Sequence, residues 1–276
     1  MKIVFFGTPH FVIPVLEALE KNFEVVTVVT SRDEKSGRKQ VLTPSPIKNY
    51  FKNKVLTPET LDSGFEKDLD TLSPDLLVVA AYGKIIPLQI LGIAKYGALN
   101  IHPSLLPKYR GASPIQQAIL NGDKKTGVSI IKMDEKMDHG PVVFSKNFEI
   151  LEHDTFETLS LRLFYETSKF LPDTVKDFIA GKIIPEIQDD KLASFCPIIK
   201  KTDGYFELGS SLSLEKLERM EKAYYPWPTA WTRWNGKILK FYPGKVVQME
   251  GKKSVSYQDF INGYPNLDKN LLNLLK

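Results

Sequence analysis

An unbroken apolar run, Ile3 to Phe6, opens the chain, so Lys2 to Phe6 is expected to be a strand covered on both faces. Gly7-Thr8-Pro9 then offers a turn, an N-cap and a first helical position for a helix reaching about Lys21. Val25 to Thr30 predicts a second, β-branched strand, Ser45-Pro46 a second cap-then-proline helix start, and Asp75 to Ala81 a further core strand. Alternating strands and helices specify an α/β fold with a doubly wound, mostly parallel sheet. Ligands of such sheets bind beyond the carboxyl ends of the strands, which directs attention to the loops after Phe6, Thr30 and Ala81.

Further along, Ala98 to His102 reads as a short strand, Ser113-Pro114 as the start of a helix to about Leu120, and Thr126 to Met133 as another strand. Phe156 to Ala180 carries a long amphipathic helical pattern closed by Gly181, with Pro172 expected to kink or split it. These elements predict a first domain over residues 1–181. Residues 182–204 hold no sustained period and include Pro185 and Pro197, the texture of a linker laid over the surface. Residues 205–276 predict a small β-rich domain, with a helix over Ser213 to Ala223 and a hairpin joining Trp231–Trp234 to Lys237–Tyr242 through Asn235-Gly236. No internal repeat or low-complexity tract is visible.

Composition narrows the class. Of 276 residues, 42% are hydrophobic and 25% charged, which suits a folded globular chain and excludes global disorder. A single cysteine, Cys196, excludes a disulfide scaffold or a cysteine metal cage and makes a reducing cytoplasm the simplest compartment. No apolar run has the length of a signal peptide core or the roughly 18 residues of a membrane helix, so no membrane partner is expected. The net charge of +4 permits a polyanionic partner without demanding one. Its distribution is more informative: between Arg32 and Lys48 lie five basic residues (Arg32, Lys35, Arg38, Lys39, Lys48) against Asp33 and Glu34, in a segment expected to be a mobile, net-basic loop.

Several chemistries lack their residues. Gly7-Thr8-Pro9-His10-Phe11 has no spaced glycines for a dinucleotide, and no phosphate-cradling Gly-x-x-x-x-Gly-Lys-Ser/Thr loop occurs. His10, His102, His139 and His153 show no metal-ligand spacing, so no metal is expected. A Gly-x-Ser-x-Gly elbow is absent, leaving covalent catalysis without a nucleophile.

Asn100-Ile101-His102 offers something positive. On an extended backbone Asn100 and His102 point to one face while Ile101 turns into the core. An imidazole can move a proton near neutral pH and an amide can donate to a developing oxyanion, the two needs of acyl transfer. Asp138-His139-Gly140 supplies a carboxylate able to orient His102; turn chemistry at Gly140 explains the same three residues equally well.

Asn100-x-His102-x-Ser104-Leu105-Leu106-Pro107, followed by Arg110-Gly111-Ala112-Ser113-Pro114, Gly122-Asp123, Thr126-Gly127-Val128 and Asp138-His139-Gly140, resembles the signature of the 10-formyltetrahydrofolate-dependent formyltransferases. With Gly7-Thr8-Pro9-x-Phe11, the basic segment ending in Thr43-Pro44-Ser45-Pro46-Ile47-Lys48, and Pro226-Trp227-Pro228, the chain is most similar to the branch of that family that formylates methionyl-tRNA. The resemblance implies a Rossmann-like formyltransferase domain and a C-terminal β-barrel, here shortened because the strand ending at Tyr242 runs almost directly into Lys252-Lys253. It implies Asn100, His102 and Asp138 as catalytic residues: His102 the base, oriented by Asp138, and Asn100 the oxyanion donor. Ser104, Leu105, Leu106 and Pro107, with Ile85, Ile86 and Pro87, are implied to meet the folate co-substrate. Arg38, supported by Lys35 and Lys39, is implied to meet initiator methionyl-tRNA. A monomer without metal is expected. The alternative is an amino-sugar formyltransferase acting on a sugar nucleotide, which would share the catalytic segment; a glycinamide ribonucleotide formyltransferase would leave the tail unexplained.

Overall fold

The computed structural model describes residues 1–36 and 40–276, with Ser36 described in its backbone only. Strands β1 (Lys2–Gly7), β2 (Glu24–Val29), β3 (Glu34–Ser36), β4 (Val41–Thr43), β5 (Val55–Leu56), β6 (Leu76–Ala80) and β7 (Ala98–His102) alternate with helices α1 (Ile13–Asn22), α2 (Pro46–Tyr50), α3 (Ser63–Asp70) and α4 (Leu88–Leu91). They are followed by β8 (Arg110–Gly111), α5 (Pro114–Leu120), β9 (Lys125–Lys132), β10 (Val142–Glu149), α6 (Phe156–Ile179) and β11 (Phe195–Cys196). The chain closes with α7 (Leu214–Ala223), β12 (Ala230–Trp234), β13 (Lys237–Tyr242), β14 (Val246–Met249), β15 (Val255–Ser256), α8 (Tyr257–Gly263) and α9 (Lys269–Leu275).

Two compact units interleave along the sequence. The first comprises residues 1–111, 127–148 and 160–195, the second 112–126, 149–159 and 196–276.

A seven-stranded sheet of order β10-β9-β7-β6-β1-β2-β5 dominates the first unit. β1 runs parallel to β2 and β6, and β6 parallel to β7, whereas β9 is antiparallel to β7. The sheet is therefore mostly parallel, as the strand-helix alternation required. Ile3 to Phe6 and all of Leu76 to Ala80 are buried, so the unbroken apolar runs are the sheet's centre.

Local chemistry explains several boundaries. Asp62 caps α3 by accepting from Gly64 N and Phe65 N, and Ser45 Oγ accepts from Lys48 N at the start of α2. The first helix departs from expectation. A 3-10 turn over His10–Val12 precedes α1, and Thr8 caps nothing; its hydroxyl donates to Tyr82 O at 3.4 Å. Ser113 likewise makes no cap bond, because its hydroxyl donates to Pro197 O. Pro172 neither splits nor ends α6, which continues to Ile179. Leu159, Leu163, Phe164, Leu171 and Val175 are buried along it, and that burial outweighs the one backbone bond a proline removes.

In the second unit β12 to β15 form a four-stranded antiparallel sheet in sequence order. Asn235 and Gly236 both have positive φ at the expected hairpin turn. α7 packs on α5 so closely that a Cβ at Gly122 would lie 2.3 Å from the Arg219 guanidinium carbon, and Gly122 also has φ +69°. The basic segment is a hairpin of β3 and β4 as far as it is described. Arg38 and Lys39 lie outside the described residues.

Candidate active site

β7 ends in two of the candidate residues, Asn100 and His102. Along Ala98-Leu99-Asn100-Ile101-His102 only Asn100 is not fully buried, and His102 is 4% exposed. Ile101 enters the core, as alternation predicts, and leaves Asn100 and His102 on the opposite face. Antiparallel pairing with β9 sets His102 opposite Ser129 and Asn100 opposite Ile131.

Asp138 reaches this face from the turn after β9. Its backbone is left-handed, φ +50°, a conformation aspartate tolerates better than most residues. Gly140 allows the turn to close, since a Cβ there would sit 1.9 Å from Lys132 O. The Asp138 carboxylate accepts from Asn100 Nδ2 at 3.1 Å and from Gly111 N at 2.8 Å, and its Oδ1 stands 3.5 Å from His102 Nδ1. The three side chains singled out in the sequence thus meet at one point.

The imidazole's second nitrogen settles the proton arrangement. His102 Nε2 lies 2.8 Å from Tyr109 O. A carbonyl only accepts, so Nε2 donates to it and Nδ1 is the ring nitrogen turned toward Asp138. Protonation at Nδ1 places a cation beside the Asp138 carboxylate. Tyr109 itself is left-handed, φ +63°, which costs a bulky residue on the order of 1–2 kcal/mol. Ser194 Oγ accepts its N–H at 2.9 Å.

The turn after β7 is built from its own polar groups. Ser104 is 1% exposed and its hydroxyl donates to Lys108 O at 2.6 Å, so that side chain is spent inside the turn. Ser129 Oγ donates to Ser104 O at 2.7 Å and accepts from Leu106 N at 3.1 Å, pinning the turn to β9. Leu105, Leu106 and Pro107 remain partly exposed. In the loop after β6, Ile85 is 80% exposed, whereas Ile86 is packed among Phe6, Tyr82 and Ile90; Pro87 precedes α4. Burial also pushes the Tyr82 phenol up to about 12.

Of the basic residues, Lys35 lies exposed on β3, while Arg32 pairs with Glu59 at 2.8 Å and Lys48 with Asp33 at 2.7 Å. Among the described residues no three His, Cys, Asp or Glu side chains group as a metal site requires. No helix among them is long and apolar enough to cross a membrane.

Sequence reasoning missed Tyr109, Ser129 and Gln188. Gln188 sits in the segment read as a surface linker, yet it is 8% exposed and bonded to Asp138 O, Gly140 O and Arg110. Only its place before two aspartates distinguishes it in the sequence, and that predicts nothing.

Residues 1–175 match the family model described as formyl transferase. A methionyl-tRNA formyltransferase from Bacillus subtilis is 43% identical over 252 residues, covering 89% of this chain and 78% of its own length. One from Caldicellulosiruptor saccharolyticus is 35% identical, covering 96% of this chain and 97% of its own. The fold is shared with the methionyl-tRNA formyltransferase of Clostridium thermocellum (TM-score 0.62, 19% identity, 92% and 96% covered). It is shared equally with a sugar N-formyltransferase from Shewanella (TM-score 0.68, 19% identity, 92% and 99% covered), so fold similarity does not separate the two acceptor classes. Sequence identity over most of both chains does, and the chain belongs to the formyl transferase family, on the side of its methionyl-tRNA formyltransferases.

Proposed function

We propose that the chain moves a formyl group from N10 of 10-formyltetrahydrofolate to the α-amine of initiator methionyl-tRNA, releasing tetrahydrofolate and N-formylmethionyl-tRNA. The observation that carries this reading is the meeting of Asn100, His102 and Asp138, with His102 Nδ1 3.5 Å from the Asp138 carboxylate.

Transfer needs a neutral amine, an acceptor for its proton and a donor for the carbonyl oxygen as it becomes an oxyanion. Reference α-amino groups titrate near roughly 7.7–8.0, so a weak base is sufficient. His102 takes the proton at Nδ1, and Asp138 stabilises the cation formed. Asn100 uses one amide hydrogen on Asp138 and has a second for the oxyanion. As the new C–N bond forms and the bond to N10 breaks, His102 returns the proton to N10. No acyl-enzyme or metal enters the scheme. Partly exposed Leu105, Leu106 and Pro107, with Ile85, offer the flat apolar edge a pterin needs, and Ser104 shapes that edge from inside the turn through its bond to Lys108 O. Ile86 and Pro87 support that edge. Lys35, Arg38 and Lys39 meet tRNA phosphates. The chain acts as a cytoplasmic monomer.

The test is acceptor choice. With labelled 10-formyltetrahydrofolate, label is expected in methionyl-tRNA and in neither uncharged tRNA nor a 4-amino sugar nucleotide. Label in the sugar alone would replace this reading with the amino-sugar one.

A further inference from the structure

Asp138 is held in its left-handed conformation by something outside its own turn. The Gln188 amide donates to Asp138 O at 2.9 Å and to Gly140 O at 2.7 Å. Its Oε1 accepts from Arg110 Nε at 3.0 Å and Nη2 at 2.9 Å, and Arg110 Nη1 pairs with Asp190 at 2.8 Å. Arg110 and Gln188 are both buried, and both hydrogens and the oxygen of the Gln188 amide are used. Backbone pairing between Glu186 and Val142 delivers Gln188 to the turn. The contacts close a ring: Gly111 N holds the Asp138 carboxylate, Arg110 beside it holds Gln188, and Gln188 holds the Asp138 backbone.

We infer that Gln188, fixed by Arg110, is a positioning residue for formyl transfer: it sets the Asp138 turn so that the carboxylate faces His102 Nδ1 and Asn100 together. This rests on the function proposed above. An amide is required because the two carbonyls need donors while the Arg110 guanidinium needs an acceptor. A carboxylate meets only the second need and methionine meets neither, though both preserve the side chain's length.

Gln188→Glu and Gln188→Met test this in the full chain, with single-turnover transfer to methionyl-tRNA, KM for both substrates and peptide-level hydrogen exchange over residues 137–142. In Gln188→Glu the rate is expected to fall about 30- to 100-fold with each KM within about threefold, the signature of misplaced catalytic groups. Exchange over 137–142 should quicken at least about tenfold. In an Asp138→Ala background the same substitution should cost less than about threefold, because a residue acting through Asp138 has nothing left to position. Should Gln188→Met fail to fold, Gln188→Glu decides, since it keeps the Arg110 contact. A Gln188→Glu rate within threefold of the parent, unchanged exchange, or the full loss repeated without Asp138 would overturn the inference. Absence of transfer by the unsubstituted chain would count against the proposed function instead, and the exchange measurement would still decide the clamp.

Discussion

In the proposed transfer His102 Nδ1 is the proton acceptor, because Tyr109 O lies against the other ring nitrogen and Asp138 faces this one. Asn100 is bound to the same carboxylate, so its free amide hydrogen is aimed by Asp138 and does not have to be ordered during reaction. Asn100→Ala is therefore expected to lower kcat about 10²- to 10³-fold with KM for the folate little changed, measured by steady-state transfer. A matching rise in KM with kcat intact would make Asn100 a binding residue. At this scale the sequence was legible where spacing alone decides: residues two apart on a strand share a face, which joins Asn100 to His102. The convergence of Asp138 depends on β9 returning antiparallel beside β7, and Gln188 depends on a segment without any period, so neither contact is written locally.

β1, β2 and β6 were readable because burial on both faces leaves a nearly unbroken apolar run, and β7 because Asn100 and His102 alternate with Leu99 and Ile101. β10 was not, since its residues past Val143 are largely exposed at the sheet's edge and carry no apolar run. β14 was missed for its brevity, four residues between two glycine turns. α6 shows why a proline is weak evidence against a long helix whose apolar stripe is buried. In the second unit Glu221 of α7 is 5% exposed and accepts from the Tyr257 hydroxyl; Glu218, Lys222 and Lys245 are the charges around it. Burial, the largest cause, pushes its carboxyl from 4.5 up to about 7, opposed by the Tyr257 bond. Folded chains therefore hold a proton that unfolded chains release, and stability falls as pH rises from about 4.5 to about 7. Glu221→Gln should match the parent near pH 4 and exceed its unfolding free energy at pH 8 by on the order of 1–3 kcal/mol. All three tryptophans, Trp227, Trp231 and Trp234, lie in this unit, so denaturant titration followed by their fluorescence reads it out. Equal stability of variant and parent at both pH values would refute the assignment.

For the molecule as a whole, the proposed function requires methionyl-tRNA to be held by its phosphates while its free amine reaches the end of β7. The overall charge of +4 is small, and the basic residues between Arg32 and Lys48 are the ones proposed to meet the phosphates. Arg32 and Lys48 pair with Glu59 and Asp33, and the proposed phosphate partners are Lys35, Arg38 and Lys39. Replacing those three by alanine should reduce the slope of log affinity against log salt by about 0.7–0.9 per lost contact, whereas alanine at Arg32 and Lys48 should leave it nearly unchanged. An unaltered slope in the triple variant would move tRNA recognition elsewhere on the chain. Single-turnover formyl transfer with His102→Ala at saturating substrates asks whether one imidazole accepts the amine's proton. The rate is expected to fall about 10²- to 10⁴-fold while binding of methionyl-tRNA stays within about threefold; a rate equal to the parent's would contradict it.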